Sequence, residues 1–363
     1  MTVLDAIILG VVEGITEYLP ISSTGHLIIV ANLLGLDQTA QIKEAVDTYL
    51  IAIQGGAILA VVLLYWPRLL QMLNGLRGRD RNGLKLFINL AIAFLPAAIM
   101  GVLLASAIEY WLFRPVPVLL ALGLGGVAMI IVSRWQKSHY KLVDSDSDQA
   151  QNMFTELDAL SWKQSLFIGL LQCGALWPGT SRSMMTILGG LFVGLRPRHA
   201  AEFSFLLGLP TLTGACVYKL FGHFYKPGPS LFETLGPIAV IVGFVAAGLS
   251  AALAIRWLVG YLNRHSFAIF GWYRIGLTVI MTGLILGGII AIEQPEEQAP
   301  FSPVAQGSTM TMPTPMTNRP NIMRSWRPGT LLANRAPKNA PKIEPPPAAG
   351  SAGQNTYPSV PGT

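Results

Sequence analysis

Two short polar stretches carry the side chains that could do chemistry in this sequence. The first, EYLPISSTGH (residues 17–26, the first tip), follows another glutamate closely. Glu13 and Glu17 are four residues apart, so on a helix they share one face. His26 lies three residues after Ser23 and can share a helix face with it, which would let the imidazole act as a base for the hydroxyl. The first tip therefore predicts a nucleophile, a base and an acidic pair at one place.

The residues after Pro20 also predict an anion site. The proline ends the first arm, and Ser22, Ser23 and Thr24 stand where the next arm begins. Free N–H groups at a helix N-terminus, together with hydroxyls, bind anions such as phosphate. Taken alone, the serine–threonine run could be an ordinary N-cap. Its combination with two carboxylates and an imidazole favours a functional site, because ionisable groups at membrane depth are costly.

The second stretch, WPGTSRSMM (residues 177–185, the second tip), adds a cation. Pro178 and Gly179 break the arm, and hydroxyls follow at Thr180, Ser181 and Ser183. Arg182 supplies the planar, always-charged fork that matches phosphate oxygens. An arginine that reaches the membrane surface is the alternative. Its predicted position at the turn of a loop, not at the end of a span, argues against that.

Together the two tips provide what phosphoryl transfer requires, namely a nucleophile, a base and a clamp for developing negative charge. Glu13 and Glu17 facing a phosphate would also hold a divalent cation, with Mg²⁺ or Ca²⁺ preferred by oxygen ligands. The natural substrate would be a phosphorylated lipid whose apolar chain reaches the site sideways from the bilayer.

The composition is that of a membrane protein. Hydrophobic residues make up 52% of the chain and charged residues only 12%, whereas soluble domains carry about 25% charged residues. The mean hydropathy is +0.50. The net charge of +6 gives no case for nucleic acid, because the basic residues sit in short loops without alternating aromatic residues.

Ten apolar segments follow one another along the chain, and most are predicted to be helical because a lipid-embedded backbone must satisfy itself. They lie near 5–19, 22–36, 45–66, 84–107, 116–134, 163–176, 183–195, 201–221, 236–258 and 266–292. A polar linker at about 137–160 separates a first repeat (about 1–136) from a second (about 161–292). Residues 293–363, rich in Pro, Gly and polar residues, are predicted to be a disordered tail.

The two halves resemble each other, since ILGVVEGITEYLPISSTGH matches FIGLLQCGALWPGTSRSMM. The matched residues are Gly10 with Gly169, Glu13 with Gln172, Pro20 with Pro178, and Ser23 with Ser181. Arms of about 15 residues reach about 22 Å, which is less than the ~30 Å hydrocarbon core. Each pair of arms is therefore predicted to be a re-entrant hairpin. Each half also has three spans, an odd number, so the second half is inverted.

The predicted fold is an all-α polytopic membrane bundle of two inverted-topology repeats, each with a re-entrant hairpin plus three spans. Inverted repeats with broken helices place a binding site near the midplane, where the two tips would meet. Basic residues concentrate on one predicted side, which the positive-inside rule assigns to the cytoplasm. They are Arg68, Arg77, Arg79, Arg81, Lys85, Arg134, Lys137, Lys141, Lys163, Arg196, Arg198 and Arg264, against Lys43, Arg114 and Lys226 on the other side. The first hairpin then opens outward.

EGITEYLPISSTGH and PGTSRS resemble the two motifs of the undecaprenyl-diphosphate phosphatase family (BacA/UppP, the bacitracin-resistance type). The similarity extends over about residues 1–292 and includes IQGGAILAVVLLYW and EFSFLLGLPTL. The resemblance implies hydrolysis of undecaprenyl diphosphate to undecaprenyl phosphate and inorganic phosphate, which recycles the lipid carrier for peptidoglycan and confers bacitracin resistance. It also implies a bacterial plasma (inner) membrane location with the site open to the outer face.

The resemblance assigns roles to the matching residues. Ser23 is the expected nucleophile and His26 the general acid/base, while Arg182 clamps the diphosphate. Glu13 and Glu17 would hold the divalent cation or orient the histidine. The residues expected to contact phosphate are Ser22, Thr24, Thr180, Ser181 and Ser183. An alternative assigns the attack to His26 or to a water, with Ser23 only binding.

Several points stay open in the sequence. Met184 and Met185 stand where the family usually has glycine and a small residue, and Met184 could narrow the second hairpin. Arg274 lies inside an apolar run and requires either a protein partner or an anion. A transporter or flippase of a phosphorylated polyprenyl lipid is the alternative function, and the Ser23–His26 pair argues against it, because transport needs no nucleophile. The oligomeric state is open, with a homodimer as one option.

Overall fold

The structure, a computed structural model, describes residues 1–36, 40–140, 156–224 and 235–287. These residues form twelve α-helices and two short 3₁₀ helices, and no strand occurs among them. The α-helices are α1 (Val3–Tyr18), α2 (Ser23–Leu33), α3 (Ala40–Leu64), α4 (Trp66–Leu76), α5 (Arg81–Leu103), α6 (Ala105–Leu112), α7 (Pro115–Tyr140), α8 (Trp162–Cys173), α9 (Arg182–Phe192), α10 (Pro197–Phe224), α11 (Pro237–Leu262) and α12 (Ala268–Leu286). The 3₁₀ helices are Leu157–Ala159 and Gly174–Leu176.

Six of these helices, α3, α5, α7, α10, α11 and α12, are long and apolar enough to cross a membrane. The chain is therefore a multi-pass membrane protein, and the prediction of an all-α bundle with six spans is confirmed. The short helices α4 and α6 were not predicted. The apolar run of the first span ends at Leu64, and Pro67 at the start of α4 opens a new helix. The run of the second span is interrupted at Leu104.

Helices α1, α2, α8 and α9 form two hairpins, α1–α2 and α8–α9. Thr2 and Ser161 begin the two hairpins, each with a capping box that closes the helix N-terminus. Helices of 16, 11, 12 and 11 residues reach at most about 24 Å at 1.5 Å per residue. These lengths suit the predicted re-entrant hairpins, whose depth in the bilayer stays a prediction.

The two hairpins have the same backbone conformation at corresponding residues. Ser22 (φ 73°) and Ser181 (φ 77°) each precede the second helix of a hairpin in the left-handed region, which non-glycine residues rarely adopt. Gly35 and Gly194 also have positive φ, at the ends of those helices. The sequence alignment paired Ser23 with Ser181, but the structure pairs Ser22 with Ser181. Ser23 is therefore the counterpart of Arg182.

Each half packs its hairpin against the other half. Helix α1 lies along α11, α8 lies along α5, α3 contacts α10, and α7 contacts α12. Glycine permits both hairpin contacts. A Cβ on Gly10 would lie 2.4 Å from the Gly243 carbonyl oxygen, and a Cβ on Gly169 would lie 2.5 Å from the Ala93 carbonyl oxygen. This reciprocal packing supports the predicted repeat, while its inverted topology stays a prediction.

Both ends of the predicted polar linker at 137–160 belong to described structural elements. Helix α7 continues to Tyr140, and Leu157 and Leu160 are buried in the core. Asn89 Nδ2 donates to the Leu160 carbonyl oxygen at 2.8 Å, which fixes the chain just before α8. Residues 141–155 of the linker and the predicted tail at 293–363 lie outside the described residues.

Candidate active site

The structure brings the two tips into contact. Arg182 Nη2 in the second tip donates to Glu17 Oε1 in the first at 3.0 Å. Ser183 Oγ donates to the Leu19 carbonyl oxygen at 3.1 Å. Arg182 therefore lies inside the protein and does not extend to the membrane surface. The acidic residue and the arginine face each other, as the sequence predicts for the two tips.

Glu17 lies at the centre of these contacts. Its side chain is 7% exposed, and its second oxygen, Oε2, accepts a hydrogen bond from Ser23 Oγ at 2.7 Å. Helix α1 ends at Tyr18, and α2 begins at Ser23 after a tight turn. This turn returns the serine to the last turn of α1. One carboxylate therefore holds both the expected nucleophile and the expected phosphate clamp.

Among the described residues, the predicted Ser23–His26 contact does not occur, and the assignment of His26 as the general acid/base stays a prediction. His26 Nδ1 lies 2.8 Å from the Ser22 carbonyl oxygen, and Nε2 lies 2.7 Å from Tyr273 Oη. Ser22 is four residues before His26, so its carbonyl oxygen is the acceptor that the first turn of α2 offers to the ring. The group in contact with the Ser23 hydroxyl is the Glu17 carboxylate.

Glu13 is buried beside this centre without a hydrogen-bond partner in the described part of the chain. It is 2% exposed and lies one helical turn before Glu17. No cluster of three or more His, Cys, Asp or Glu side chains suited to a metal occurs among the described residues. Mg²⁺ commonly uses only one or two carboxylates together with substrate phosphates. A buried, unpaired carboxylate next to a second one fits that mode of binding.

The predicted phosphate-contacting hydroxyls differ in availability. Ser22 Oγ is buried and has no hydrogen-bond partner in the part of the chain that the structure describes. Ser181 Oγ accepts from the Met184 backbone N–H and lies 3.0 Å from Ser183 Oγ. Ser183 is fully buried and bonded to the first tip, so it serves the joint between the tips. Thr24 is half-buried and Thr180 is buried.

Arg182 is fixed on several sides. Nη1 donates to the Ser204 carbonyl oxygen at 2.9 Å, and the guanidinium lies 5.8 Å from the centre of the Tyr18 ring. A Cβ on Gly208 would lie 2.9 Å from Nη1, so helix α10 approaches the guanidinium closely. Nε is buried and has no hydrogen-bond partner among the described residues. Two of the five guanidinium N–H groups are therefore used, and Nε–H is among the donors that stay available for a ligand.

Arg274 holds the two tips together, a role that the sequence did not reveal. It is fully buried, and its guanidinium donates to five carbonyl oxygens at 2.8 to 3.3 Å. These belong to Pro20, Gly179, Thr180, Ala121 and Leu122. Of the two partners that the sequence allows for Arg274, an anion or a protein group, the structure shows protein groups. The one sequence signal was an arginine inside an apolar run.

The unusual Met184 fits the core. Its side chain is 2% exposed and packs in the main apolar cluster. The Met184 thioether and the Arg274 guanidinium both lie close to the backbone of Gly125. A Cβ on Gly125 would be 3.0 Å from the Met184 sulfur and 2.4 Å from Arg274 Nη2. Met185 Cε approaches Gly174 in the same hairpin. Both methionines affect packing in the second hairpin.

The fold and the site define an integral membrane protein with a buried polar centre between two helical hairpins. The chain belongs to the family described as bacitracin resistance protein BacA, whose model matches residues 6–280. This confirms the family that the two motifs indicate.

Named relatives are similar over most of the chain. Undecaprenyl-diphosphatase 2 of Rhodospirillum rubrum is 44% identical over 289 residues, which are 79% of this chain and 97% of that protein. Undecaprenyl-diphosphatase of Nitrosomonas europaea is 40% identical over 293 residues, 80% of this chain and 97% of the relative. The Pseudomonas aeruginosa undecaprenyl-diphosphatase is 43% identical over 283 residues, 77% and 94% of the two chains.

Proposed function

We propose that this protein hydrolyses undecaprenyl diphosphate to undecaprenyl phosphate and inorganic phosphate. Family membership and the names of the relatives supply the substrate. The observation that carries the chemistry is the Glu17 carboxylate, which accepts from Ser23 Oγ and from Arg182 Nη2. A hydroxyl bonded to a carboxylate, beside a guanidinium, is an activated nucleophile beside a charge clamp.

Ser23 attacks the terminal phosphorus in the first step. Glu17 Oε2 takes the hydroxyl proton, a bond forms between Ser23 Oγ and phosphorus, and the bond from phosphorus to the bridging oxygen breaks. Undecaprenyl phosphate leaves with that oxygen. In the second step a water attacks the phosphoserine and gives a proton to His26. The bond from phosphorus to Ser23 breaks, Glu17 returns its proton to the serine, and inorganic phosphate leaves with the proton that His26 releases. One water is consumed overall.

Phosphate oxygens are held by the parts of the site that still have donors. Arg182 offers its Nε–H, and Ser22 offers an unpaired buried hydroxyl. Thr24, Thr180 and Ser181 complete the hydroxyl set. Helices α2 and α9 begin at the two tips, so both present N-terminal N–H groups to an anion. In-line attack with water replacing Ser23 as nucleophile is the alternative route, with the same clamp.

A divalent cation, Mg²⁺ or Ca²⁺, is part of this proposal. Glu13 and Glu17 would hold it, with the diphosphate oxygens completing its ligands. When bound, the cation would neutralise charge that develops on the phosphoryl oxygens. Glu17 would continue to accept from Ser23, because a carboxylate offers about four lone-pair positions.

The proposed location is the bacterial inner membrane, with the site open to the outer face. The distribution of basic residues supports this orientation. Arg68 pairs with Glu202 at 2.8 Å, and Lys85 Nζ donates to the Asp158 carbonyl oxygen at 2.9 Å, so residues assigned to the cytoplasmic side contact one another. The proposed consequence is lipid carrier recycling for peptidoglycan synthesis and bacitracin resistance. Assembly into a homodimer stays a prediction that size measurement in detergent would test.

Phosphate release from undecaprenyl diphosphate by purified protein tests the function. Wild type is compared with Ser23→Ala, and with Ser106→Ala as a control for the loss of an exposed hydroxyl on α6. We expect release by wild type and by the control, and little by Ser23→Ala. A wild type that binds the lipid, releases no phosphate and moves the lipid across vesicles would favour the transporter alternative.

A further inference from the structure

His26 is held at both ring nitrogens, and one partner comes from the last helix. Nδ1 lies 2.8 Å from the Ser22 carbonyl oxygen, and Nε2 lies 2.7 Å from the hydroxyl of Tyr273 in α12. The two rings are almost parallel, with an interplanar angle of 4° and centroids 5.7 Å apart. The imidazole is therefore fixed in position and in orientation.

These two contacts also determine the tautomer. A carbonyl oxygen can only accept a hydrogen bond, so the Ser22 contact favours a proton on Nδ1, and the Tyr273 contact adds to this preference. In the neutral ring, Nε2 then carries the lone pair, and the Tyr273 hydroxyl donates to it. Within the described chain no carboxylate contacts His26. A doubly protonated ring would be a half-buried cation without a paired counter-ion, which is unfavourable.

We propose that Tyr273 is a positioning residue for the hydrolysis. It fixes His26 as the Nδ1–H tautomer and keeps Nε2 unprotonated for the water that attacks the phosphoserine. This inference rests on the proposed function, in which His26 is the general acid/base.

The attacking water can replace the Tyr273 hydroxyl as the hydrogen-bond partner of His26 Nε2. The tyrosine is 46% exposed, so its ring has room to move aside when a water arrives beside a bound phosphate. The Ser22 carbonyl oxygen stays bonded to Nδ1 during this exchange and keeps the imidazole in place. The water then gives its proton to Nε2 as its oxygen bonds to phosphorus, and the imidazolium later releases that proton to the departing phosphate.

Tyr273→Phe tests the inference, because it keeps the aromatic ring and removes only the hydroxyl. The matched control is Tyr218→Phe, on an exposed tyrosine of α10 that makes no hydrogen bond in the described chain. Two readouts are measured on the full-length protein in detergent. The first is the ¹⁵N chemical shifts of His26 Nδ1 and Nε2, assigned by their loss in His26→Gln. The second is kcat and KM for phosphate release from undecaprenyl diphosphate.

We expect Tyr273→Phe to change the ¹⁵N pattern of His26 from that of one tautomer toward a mixture. We expect kcat to fall about five- to tenfold, because the loss of one hydrogen bond raises the activation free energy by the corresponding amount, and KM should be unchanged. Tyr218→Phe should leave both readouts as in wild type.

An unchanged ¹⁵N pattern in Tyr273→Phe would overturn the inference, since the hydroxyl would then not determine the tautomer. A changed pattern with an unchanged kcat would also overturn it, because Tyr273 would position a group that hydrolysis does not use. If wild type releases no phosphate, the proposed function fails, and the ¹⁵N pattern alone still decides whether Tyr273 fixes His26.

Discussion

Ser23 Oγ lies 2.7 Å from Glu17 Oε2, and this hydrogen bond joins the first residue of α2 to the last turn of α1. The same carboxylate accepts from Arg182 in the second hairpin. The proposed nucleophile and the proposed phosphate clamp therefore both donate to one carboxylate, which is the proposed base. Their positions relative to one another depend on the two tips staying together.

Gly208→Ala should disturb Arg182 without a substitution in either tip. A Cβ at this position would lie 2.9 Å from Arg182 Nη1 and 3.0 Å from its Cζ. The guanidinium must then move away from Glu17 and Ser204. We expect kcat/KM for phosphate release to fall about 10- to 100-fold, because small displacements of a positioned group are costly.

The matched control is Gly276→Ala in α12, where an added Cβ meets nothing within 4 Å. It should keep wild-type activity and the same thermal stability or slightly more, since alanine favours a helix by up to about 1 kcal/mol. Wild-type kcat/KM in Gly208→Ala would show that the position of Arg182 does not limit the reaction.

Arg274→Met should destabilise the protein. The substitution leaves five buried carbonyl oxygens without their donor, and removing one partner of a buried charged network costs about 3–5 kcal/mol. Thermal unfolding in detergent measures the effect, together with phosphate release. Arg256→Met, at an exposed position in α11, should change stability by less than about 0.5 kcal/mol. Equal melting temperatures for the two variants would refute the role of Arg274 in holding the tips.

A chelator should abolish phosphate release, and added Mg²⁺ or Ca²⁺ should restore it. Glu13→Gln keeps the shape of the side chain but removes the charge, so it should require more cation for half-maximal activity. Titration of wild type and variant with each cation after EDTA treatment measures this. Gln164→Glu, at the start of α8 and away from the tips, is a control for a change of one charge. Full activity of EDTA-treated wild type would remove the cation from the mechanism.

Much of the architecture could be predicted from the sequence because lipid imposes simple rules. A backbone that cannot bond to water must be helical, and the ~30 Å core sets the length of a span. The same rules identified Glu17 and Arg182 as candidate site residues, since charged side chains at membrane depth require partners. Their contact at 3.0 Å followed from placing two short hairpins opposite each other.

The orientation of His26 could not be predicted from residue spacing. Spacing places Ser23 and His26 on adjacent turns of one helix, but Ser22 has a φ of 73° just before that helix begins. A non-glycine residue in this region is uncommon and has no clear sequence signal. The turn directs Ser23 to Glu17 and leaves the Ser22 carbonyl oxygen for the imidazole. The same local geometry shifts the pairing of the halves by one residue.

The role of Arg274 was hidden for a different reason. Its acceptors are backbone carbonyl oxygens in three segments far apart in the sequence. Any residue type supplies a carbonyl oxygen, so no pattern marks the partners. The sequence could show only that the arginine required some partner.

Phosphate release by Glu17→Gln, Ser23→Ala and the double variant tests the central claim most directly. Residues that act as one unit are not additive, so the double variant should be no slower than the slower single variant. We expect each single change to lower kcat by at least about 10³-fold, as for one member of a nucleophile–base pair. Ser106→Ala controls for the loss of a hydroxyl. Rates within about threefold of wild type for Ser23→Ala, or effects that multiply in the double variant, would contradict an attack by Ser23 with Glu17 as its base.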